Sequence, residues 1–407
     1  MTSPEPARFL LLLPPPPSDP SPSALKSVYG DTFSQVLKEV ATHSADNPKA
    51  AILEIALALP HLVGQEGAPR SSLFASTQSA IAGVYGLIAR IAAKDGVDVE
   101  DQDGVDVRIL LVAWNPNTSS EPTETSPYGP IISLQTLARC GRAWQYAFGV
   151  ESQEGEAFVK AFVEAKGSGE EVSRVQSNPN DPSTTHQPPP SSSSTTATGP
   201  PSTPTRHHHI AIGGTFDHLH IGHKLLLTMT VFATDPAPPS TITIGITGDA
   251  LLVNKKHAAE LEPWTDRFTA VMHFLISILD FSVPSSKRHV SVRDDPGPNG
   301  KSLDTQYPSG LEVRCTEIQD AFGPTITDEG ISGMVLTAET RAGGAAVNER
   351  REGKGWRALE LFEVDVLDAE EEEREVREVR EGFEGKLSST AIREKLARKR
   401  KGGGSSL

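Results

Sequence analysis

The sequence predicts an α/β protein whose C-terminal half is built on a parallel sheet and whose N-terminal half is a smaller α/β domain. Three observations support this fold class. Apolar, strand-like stretches alternate with segments of helical spacing after residue 206. A turn at Gly213 and Gly214 follows the first of these strands and precedes a helix. A stretch rich in Ser, Thr and Pro, residues 167–205, separates the two halves and is expected to be a disordered linker.

The length and charge of the chain restrict its class. A chain of 407 residues is long enough for two or three hydrophobic cores, and we expect two domains. Its formal net charge of −15 argues against nonspecific nucleic-acid binding, which requires clustered Lys and Arg. The basic run at 398–401 is expected to be solvated. We therefore expect no nucleic-acid partner.

The cysteines and apolar runs indicate a compartment. Cys140 and Cys315 are too few and too far apart for a disulfide framework, which fits a reducing environment. The apolar run at 9–13 is far shorter than a membrane span and ends at four consecutive prolines. Because no signal peptide or membrane anchor is visible, we expect a cytoplasmic protein.

The N-terminal half contains periodic segments but no legible activity. Residues 1–30 are expected to be a flexible, Pro-rich lead, with an edge strand at 8–13 as the alternative. Residues 31–166 are predicted to form an α/β domain of unknown function. It has no nucleophile elbow and no His/Cys set with metal-binding spacing, so a regulatory role and a purely structural role stay open. Its predicted elements are helices at 32–40, 72–93 and 134–148, a strand at 105–114, and a strand or helix at 50–57.

Residues 206–400 are predicted to form the second domain, followed by a flexible tail at 401–407. A charged stretch at 368–381 is expected to be a solvated helix. Strands are expected at 208–212, 241–247 and 289–293, and helices at 222–233 and 264–279. Ligand sites in parallel sheets lie at the carboxyl ends of strands. The segments expected at such ends are the Gly-Gly turn, 247–249 and 337–340.

Two predicted helix starts are suited to binding an anion. His220 and His223 are three residues apart, so they share one face of the first turn of the helix after Gly214. The unpaired N–H groups at a helix N-terminus favour phosphate. A second helix is expected to begin at Ser388 or Ser389, with Arg393 one turn later. These features together predict a phosphate-binding site.

The stretch TFDHLHIGHK contains the HxGH signature of the nucleotidyltransferase superfamily of adenylyl- and cytidylyltransferases. Within it, GGTFDHLHIGHKLLL closely resembles the eukaryotic-type phosphopantetheine adenylyltransferases. The resemblance extends, in the family's order, to VNKKHAAELEPWTDRF (253–268), TAETRAGGAAVNERR (337–351) and KLSSTAIREKL (386–396), and covers roughly the last half of the chain. It implies a Rossmann-like domain that joins ATP to 4'-phosphopantetheine, releasing pyrophosphate and dephospho-coenzyme A.

The resemblance also implies roles for individual residues. The implied catalytic residues are His220, His223 and Lys256, with Lys255 as the alternative lysine. The implied nucleotide-binding residues are Gly213, Gly214, Thr215, Phe216, His220, His223, Gly343, Gly344, Asn348, Ser388, Ser389, Thr390 and Arg393. The implied phosphopantetheine-binding residues are Thr215, Lys255, Lys256 and Arg267, the last with a chiefly structural role as the alternative. Mg²⁺ is expected to arrive bound to ATP, without a dedicated protein site.

Several alternatives stay open at this point. His218, His220 and His223 could supply three nitrogens to a zinc ion. A cytidylyltransferase acting on a phosphorylated alcohol shares the GTFDxxHxGH stretch, although KLSSTAIR differs from the RTxGISTT-like element typical of that group. Nicotinamide mononucleotide is the third-ranked substrate, and a non-catalytic interaction protein is a further alternative. Because no GxxxxGK[ST] phosphate loop occurs, we expect dephospho-coenzyme A kinase to be a separate partner enzyme.

Overall fold

The structure is a computed structural model. It describes residues 6–45, 51–100, 104–118, 126–167, 171–177, 204–283, 288–294, 297, 299–365 and 389–403. Most of the predicted linker, the predicted charged helix at 368–381, Ser388 and the last four residues lie outside this part of the chain. Within it, the predicted α/β fold class is confirmed.

The N-terminal half is a parallel sheet of six strands in the spatial order β4-β3-β2-β1-β5-β6. The strands are β1 (Arg8–Leu13), β2 (Ala51–Ala58), β3 (Val105–Ala113), β4 (Ile131–Ser133), β5 (Tyr146–Glu151) and β6 (Val172–Gln176). The helices are α1 (Pro22–Ala45), α2 (Arg70–Asp95), α3 (Leu134–Arg139) and α4 (Gln153–Lys166).

In the described part of residues 1–30, the structure contradicts the predicted flexible lead and confirms the alternative, a strand at 8–13, although not as an edge strand. β1 is a central strand that pairs with β2 on one side and β5 on the other, and α1 begins at Pro22. Residues 9–13 are buried, as the uninterrupted apolar run of a two-sided parallel strand requires. The prolines that follow end the strand, because proline cannot donate a backbone hydrogen bond.

Two other boundaries differ from the sequence prediction. The predicted linker includes β6, residues 172–176, which pairs with β5 and is the last strand at that edge of the sheet. The predicted helix at 134–148 is instead the short α3 followed by β5. Gly141 has a φ of 66°, a left-handed conformation that breaks the helical path after α3.

The C-terminal half is a sheet of seven strands in the order β13-β12-β7-β8-β11-β10-β9, in which β9 and β10 are antiparallel to their neighbours. The strands are β7 (His209–Gly214), β8 (Ser240–Thr247), β9 (His289–Arg293), β10 (Ser302–Gln306), β11 (Leu311–Ile318), β12 (Gly333–Thr337) and β13 (Glu360–Val364). The helices are α5 (Ile221–Ala233), α6 (Trp264–Leu279), α7 (Arg341–Gly353) and α8 (Ser389–Gly403). The chain reverses its direction of travel across the sheet between β7 and β12, where parallel sheets bind ligands.

One hydrophobic cluster runs through both halves, because α2 packs against α1 on one side and α5 on the other. The Phe74 and Phe362 rings, one from each half, lie 5.0 Å apart. By length and composition α2 could cross a membrane, yet half of its most apolar window is buried in the protein. In this structure α2 is a core helix that joins the two sheets.

Candidate active site

Arg267 fixes the loop after β7 at the carboxyl edge of the sheet. This fully buried side chain of α6 donates to the backbone oxygens of Thr215 (2.6 Å), Thr247 (2.8 Å) and Glu262 (2.9 Å), and to Asp249 Oδ1 (2.6 Å). These contacts tie the ends of β7 and β8 to α6. The structural alternative therefore accounts for Arg267, and its predicted contact with phosphopantetheine is not needed to explain it.

Two residues of this loop adopt the left-handed conformation that side chains disfavour. Phe216 has a φ of 51° and His218 a φ of 46°. The loop is fixed around Asp217, whose Oδ1 accepts a hydrogen bond from the Glu262 N–H at 2.9 Å. The Glu262 carboxylate in turn accepts from the His218 N–H at 2.7 Å. Strained backbone of this kind persists where surrounding contacts over-determine it, often at functional sites.

His220 and His223 form a stacked pair at the start of α5. Their ring centroids are 4.0 Å apart, and Phe216 packs against His223 from below at 5.4 Å. His220 is the N-cap residue, and its Nδ1 accepts from the Gly222 N–H at 3.2 Å. In a neutral ring the proton then sits on Nε2, which is left as a donor. Nδ1 of His223 is buried and has no hydrogen-bond partner among the described residues.

Burial keeps both imidazoles neutral at pH 7. It lowers the pKa of His220 to about 4, and the Lys224 and His218 charges act in the same direction. Burial also holds the pKa of His223 well below 6.5, assisted by His220 and His218. A bound polyanion would oppose this effect, because a nearby negative charge favours the protonated ring.

Acidification is expected to destabilise the fold through His220. Its pKa of about 4 in the folded state lies below its ordinary value of 6.5, so the unfolded chain binds more protons between these values. The stability is therefore present above pH 6.5 and is lost as the pH falls toward 4. Between pH 7 and pH 5 this group is expected to remove about 2 kcal/mol from the free energy of unfolding. Urea unfolding of the wild type and His220→Gln at both pH values tests this; equal pH dependence in the two proteins contradicts it.

The start of α8 reaches the same loop through Arg393. The buried guanidinium donates from Nη1 to Asp217 Oδ2 at 2.5 Å, from Nη2 to Thr390 Oγ1 at 3.1 Å and from Nε to the Lys256 carbonyl at 3.1 Å. These contacts use three of its five N–H donors. The arginine thus anchors the C-terminal helix on the loop that carries the histidines and keeps donors for a ligand.

The two helix starts meet at one cavity of about 240 Å³. The structure therefore brings together predicted residues from segments that are far apart in the chain, and positive helix ends and cations surround the space between them. The predicted residues at the cavity are Thr215, His220, His223, Lys255, Ser389, Thr390 and Arg393. The other lining residues are Gly222, Leu225, Leu226, Thr337, Glu339, Val364 and Asp365.

The structure places Lys255, and not Lys256, at the cavity. Both lysines are exposed, and the backbone carbonyl of Lys256 accepts a hydrogen bond from Arg393. The geometry thus favours Lys255 over the predicted Lys256 as the lysine beside a ligand in this cavity. Both residues lie in the turns after β8, where a difference of one position changes which side chain faces the cavity.

The lysine assignment predicts unequal effects of two neighbouring substitutions. For the nucleotidyl transfer that the sequence resemblance implies, Lys255→Ala is expected to lower the turnover number by about 10- to 100-fold, because a cation at the cavity is lost. Lys256→Ala, which keeps the backbone carbonyl that Arg393 needs, is expected to stay within threefold of the wild type. Initial rates at saturating substrate measure both. A larger loss for Lys256→Ala would restore the original assignment.

Three of the predicted glycines have surroundings that differ from one another. Gly213 and Gly214 end β7; an added Cβ would meet no protein atom at Gly213 but would come within 3.0 Å of the Phe216 ring at Gly214. Gly344 of α7 packs so closely on the sheet that an added Cβ would come within 2.6 Å of Leu336. Packing therefore explains Gly214 and Gly344, while Gly213 faces open space.

Asn348 and Gly343 are not at the cavity. The Asn348 side chain is used by the backbone of Leu359, accepting from its N–H at 2.8 Å and donating to its carbonyl at 3.1 Å. It thereby fixes the start of β13. Gly343 is exposed on α7, and an added Cβ would contact nothing. The α7 part of the predicted site thus lies outside the residues that line this cavity.

The zinc alternative does not match the orientation of the three histidines. Nε2 of His218 lies 2.7 Å from the Glu260 carbonyl oxygen, so this ring is engaged away from the stacked pair. Within the residues that the structure describes, no group of three or more His, Cys, Asp or Glu side chains is arranged to hold a metal ion.

A larger cavity of about 420 Å³ lies elsewhere on the second sheet. It is lined by Thr243 of β8, Arg314 and Thr316 of β11, and the segment 327–330. Both of its arginines are already paired, Arg293 with Asp304, and Arg314 with Glu312 and Asp328. Because it contains none of the predicted site residues, the smaller cavity is the better candidate for chemistry.

The sequence prediction missed the part of the site contributed by β13. Val364 ends this strand and Asp365 follows it, and both line the cavity. The apolar residues at 361, 362 and 364, with glutamates at 360 and 363, are a partly alternating pattern that could have predicted the strand. The role of Asp217 as the anchor for Arg393 was also missed; it has no local sequence signal, since the partners are 176 residues apart.

A family model described as a domain of unknown function, DUF8446, matches residues 1–181. The match includes β1 and β6, in agreement with the six-stranded sheet as one unit. A solved structure of a protein of unknown function from Archaeoglobus fulgidus is similar at 22% identity and a TM-score of 0.26, covering 38% of this chain and 97% of that one. That similarity is too low to support an argument about the fold.

Curated relatives are found among fungi and archaea. An uncharacterized protein of Schizosaccharomyces pombe is 34% identical over 188 residues, and a Saccharomyces cerevisiae protein named phosphopantetheine adenylyltransferase is 35% identical over 188 residues. Each match covers 46% of this chain and 48% of the relative, so the chain spans about half the length of these relatives. A Pyrobaculum aerophilum protein named phosphopantetheine adenylyltransferase is 27% identical over 46% of this chain and 92% of its own length.

Proposed function

We propose that the C-terminal half transfers the adenylyl group of ATP to 4'-phosphopantetheine, giving dephospho-coenzyme A and pyrophosphate. The observation that carries this proposal is the cavity where His220, His223, Lys255 and Arg393 converge with the starts of α5 and α8. Relatives named phosphopantetheine adenylyltransferase, at 27% and 35% identity, support the same reaction class.

The reaction needs charge stabilisation more than proton transfer. The attacking phosphate of phosphopantetheine is already anionic at neutral pH, and the α-phosphate gains negative charge as the new P–O bond forms and the bond to pyrophosphate breaks. Fixed donors at the positions where charge develops are the main source of rate enhancement in such reactions. The cavity supplies the donors and cations that this reaction needs, and the reaction requires no general base.

The histidine pair would contact the α-phosphate. Nε2–H of His220 is free to donate because Nδ1 accepts from Gly222. His223 has a buried ring nitrogen without a protein partner, which a ligand group would satisfy. Neutral imidazoles held by burial can donate one hydrogen bond each without a cost for charging the rings. Their stacking fixes the distance between the two donors.

The two cations of the cavity, Lys255 and Arg393, would bind the negatively charged phosphates on either side of the reacting α-phosphate. Lys255 would bridge the two substrate phosphates, and Arg393 with Ser389 and Thr390 at the start of α8 would bind the β- and γ-phosphates. Mg²⁺ would enter with ATP, and the carboxylates that line the cavity, Glu339 and Asp365, offer the oxygen atoms that this ion prefers.

The test is a pyrophosphate-release assay of the full chain that crosses ATP and CTP with phosphopantetheine, phosphocholine and nicotinamide mononucleotide. The expected result is release only with ATP and phosphopantetheine, together with a product that has the mass of dephospho-coenzyme A. Release with CTP and phosphocholine would assign the runner-up function, a cytidylyltransferase. Absence of release with every pair would support a non-catalytic role and overturn the proposal.

A further inference from the structure

The N-terminal half contacts three of the elements that line the candidate active site. It reaches α5 through Lys224, the end of β13 through Asp365, and α8 through Lys395. Each of these elements comes from the other half of the chain. The sheet that contains no recognisable catalytic pattern is therefore in direct contact with the site that does.

Lys224 makes the most buried of these contacts. It follows His223 directly, and its side chain is 5% exposed. Nζ lies 2.6 Å from Asp106 Oδ1 and 3.0 Å from the Val107 carbonyl, both on β3. Burial lowers the pKa of Lys224, and Asp106 opposes that effect. Burial likewise would raise the pKa of Asp106, but Lys224 and Arg108 outweigh it and hold that pKa well below its ordinary value.

The other two contacts surround the cavity from different directions. Nε2 of Gln78, a buried residue of α2, donates to Asp365 Oδ2 at 3.0 Å. Nζ of Lys395 on α8 lies 2.6 Å from Asp98 Oδ2, in the segment after α2. The Lys395 pair is partly exposed, and pairs of this kind contribute little to stability. The three contacts between the halves share one feature: each of them fixes an element that lines the cavity.

Stability alone is a poor explanation for a buried ion pair in this position. Removing two charges from water costs about as much as their attraction returns, and apolar residues of similar size often stabilise a fold equally well. A charged pair does fix geometry, because the ammonium group donates in defined directions to the Asp106 carboxylate and the Val107 carbonyl. Because Lys224 belongs to the first turn of α5, its contact with Asp106 fixes the position of that turn.

We propose that the N-terminal half is a positioning module for the phosphate site, and that Lys224, held by Asp106, sets the placement of His220 and His223. This inference rests on the function proposed above. Lys224 does not line the cavity; it is a positioning residue that acts through the helix start. The ligand contacts stay on the C-terminal half, while their alignment depends on β3.

The test compares Lys224→Met, Asp106→Asn and the double variant with the wild type. Each single variant is expected to lower kcat by about tenfold or more, because small displacements of reacting groups have large effects, while KM for both substrates changes less than threefold. The double variant is expected to be no slower than the slower single variant, since both act through one contact. Asp106→Asn removes the charge that holds Lys224 but keeps a side chain of the same size, so it also serves if Lys224→Met does not fold.

Arg142→Met is the matched control. Arg142 also joins the two halves, through Glu54 Oε1 at 2.7 Å and the Ser277 carbonyl at 2.5 Å, but it contacts the far end of α6. Its loss is expected to lower the melting temperature and to leave kcat within twofold. Equal losses of kcat in Arg142→Met and Lys224→Met would mean that the contact between Lys224 and Asp106 contributes only to the stability of the fold. That result would overturn the proposal.

A second readout separates this proposal from the proposed function. In protein labelled selectively at histidine, the ring proton shifts of His220 and His223 report their stacking, independently of turnover. Lys224→Met and Asp106→Asn are expected to move these shifts, and Arg142→Met to leave them unchanged. If the wild type releases no pyrophosphate but the shifts move as expected, the proposed function fails and the positioning role stands. Unchanged shifts in both variants overturn the positioning role.

Discussion

Replacing His223 by alanine is expected to lower the turnover number for adenylyl transfer by about a hundredfold or more, with the fold intact. In the proposed reaction the ring is one of two donors to the reacting phosphate, and its buried Nδ1 has no protein partner among the described residues whose loss would disturb the core. The stack with His220 and the contact with Phe216 would be lost as well. Initial rates of pyrophosphate release at saturating ATP and phosphopantetheine measure the effect.

His273→Ala is the matched control, because this histidine is exposed on α6, outside the residues that line the cavity. It is expected to retain wild-type turnover. The melting temperature of His223→Ala should lie within a few degrees of the wild type, so that a slow reaction is not mistaken for an unfolded protein. Turnover within threefold of the wild type in His223→Ala would remove this residue from the mechanism.

Sequence periodicity predicted the elements whose pattern is local. The predicted helix at 264–279 and strand at 289–293 coincide with α6 and β9. The strand at 8–13 was predicted only as an edge strand and as the alternative to a flexible lead, because prolines and serines surround it and composition outweighed a short apolar run. Only its pairing with β2 and β5, which are distant in sequence, shows that it is a central strand. Composition is therefore a weak guide where a short strand is buried on both sides.

The same limit applies to the site. His220 and Arg393 each lie at a helix start that its own local sequence predicts, but their arrival at one cavity depends on the Asp217 contact between distant segments. Lys255 and Lys256 could not be distinguished, because neighbouring turn residues have no periodicity. Asn348 could serve the backbone of Leu359 or a ligand equally well as far as sequence shows, and the structure assigns it to the backbone.

Replacing Arg393 by methionine is expected to abolish turnover and to lower the free energy of unfolding by about 3 kcal/mol or more. Asp217 is fully buried, and the substitution leaves its Oδ2 without the cation that compensates the charge. α8 loses its links to Asp217 and to the Lys256 carbonyl together. Denaturant unfolding measures the loss of stability, and amide hydrogen exchange of residues 389–400 is expected to accelerate as the helix separates from the loop.

The double variant Arg393→Met with Asp217→Asn separates the two roles of the arginine. Removing both charges is expected to restore much of the stability, because the uncompensated carboxylate is gone, while an amide at position 217 can still accept from the Glu262 N–H. Turnover is expected to stay absent, because the donors that would bind the β- and γ-phosphates are still missing. If turnover returned with stability, Arg393 would act only as the anchor of α8, and the triphosphate would have to be bound by Ser389, Thr390 and the helix start alone.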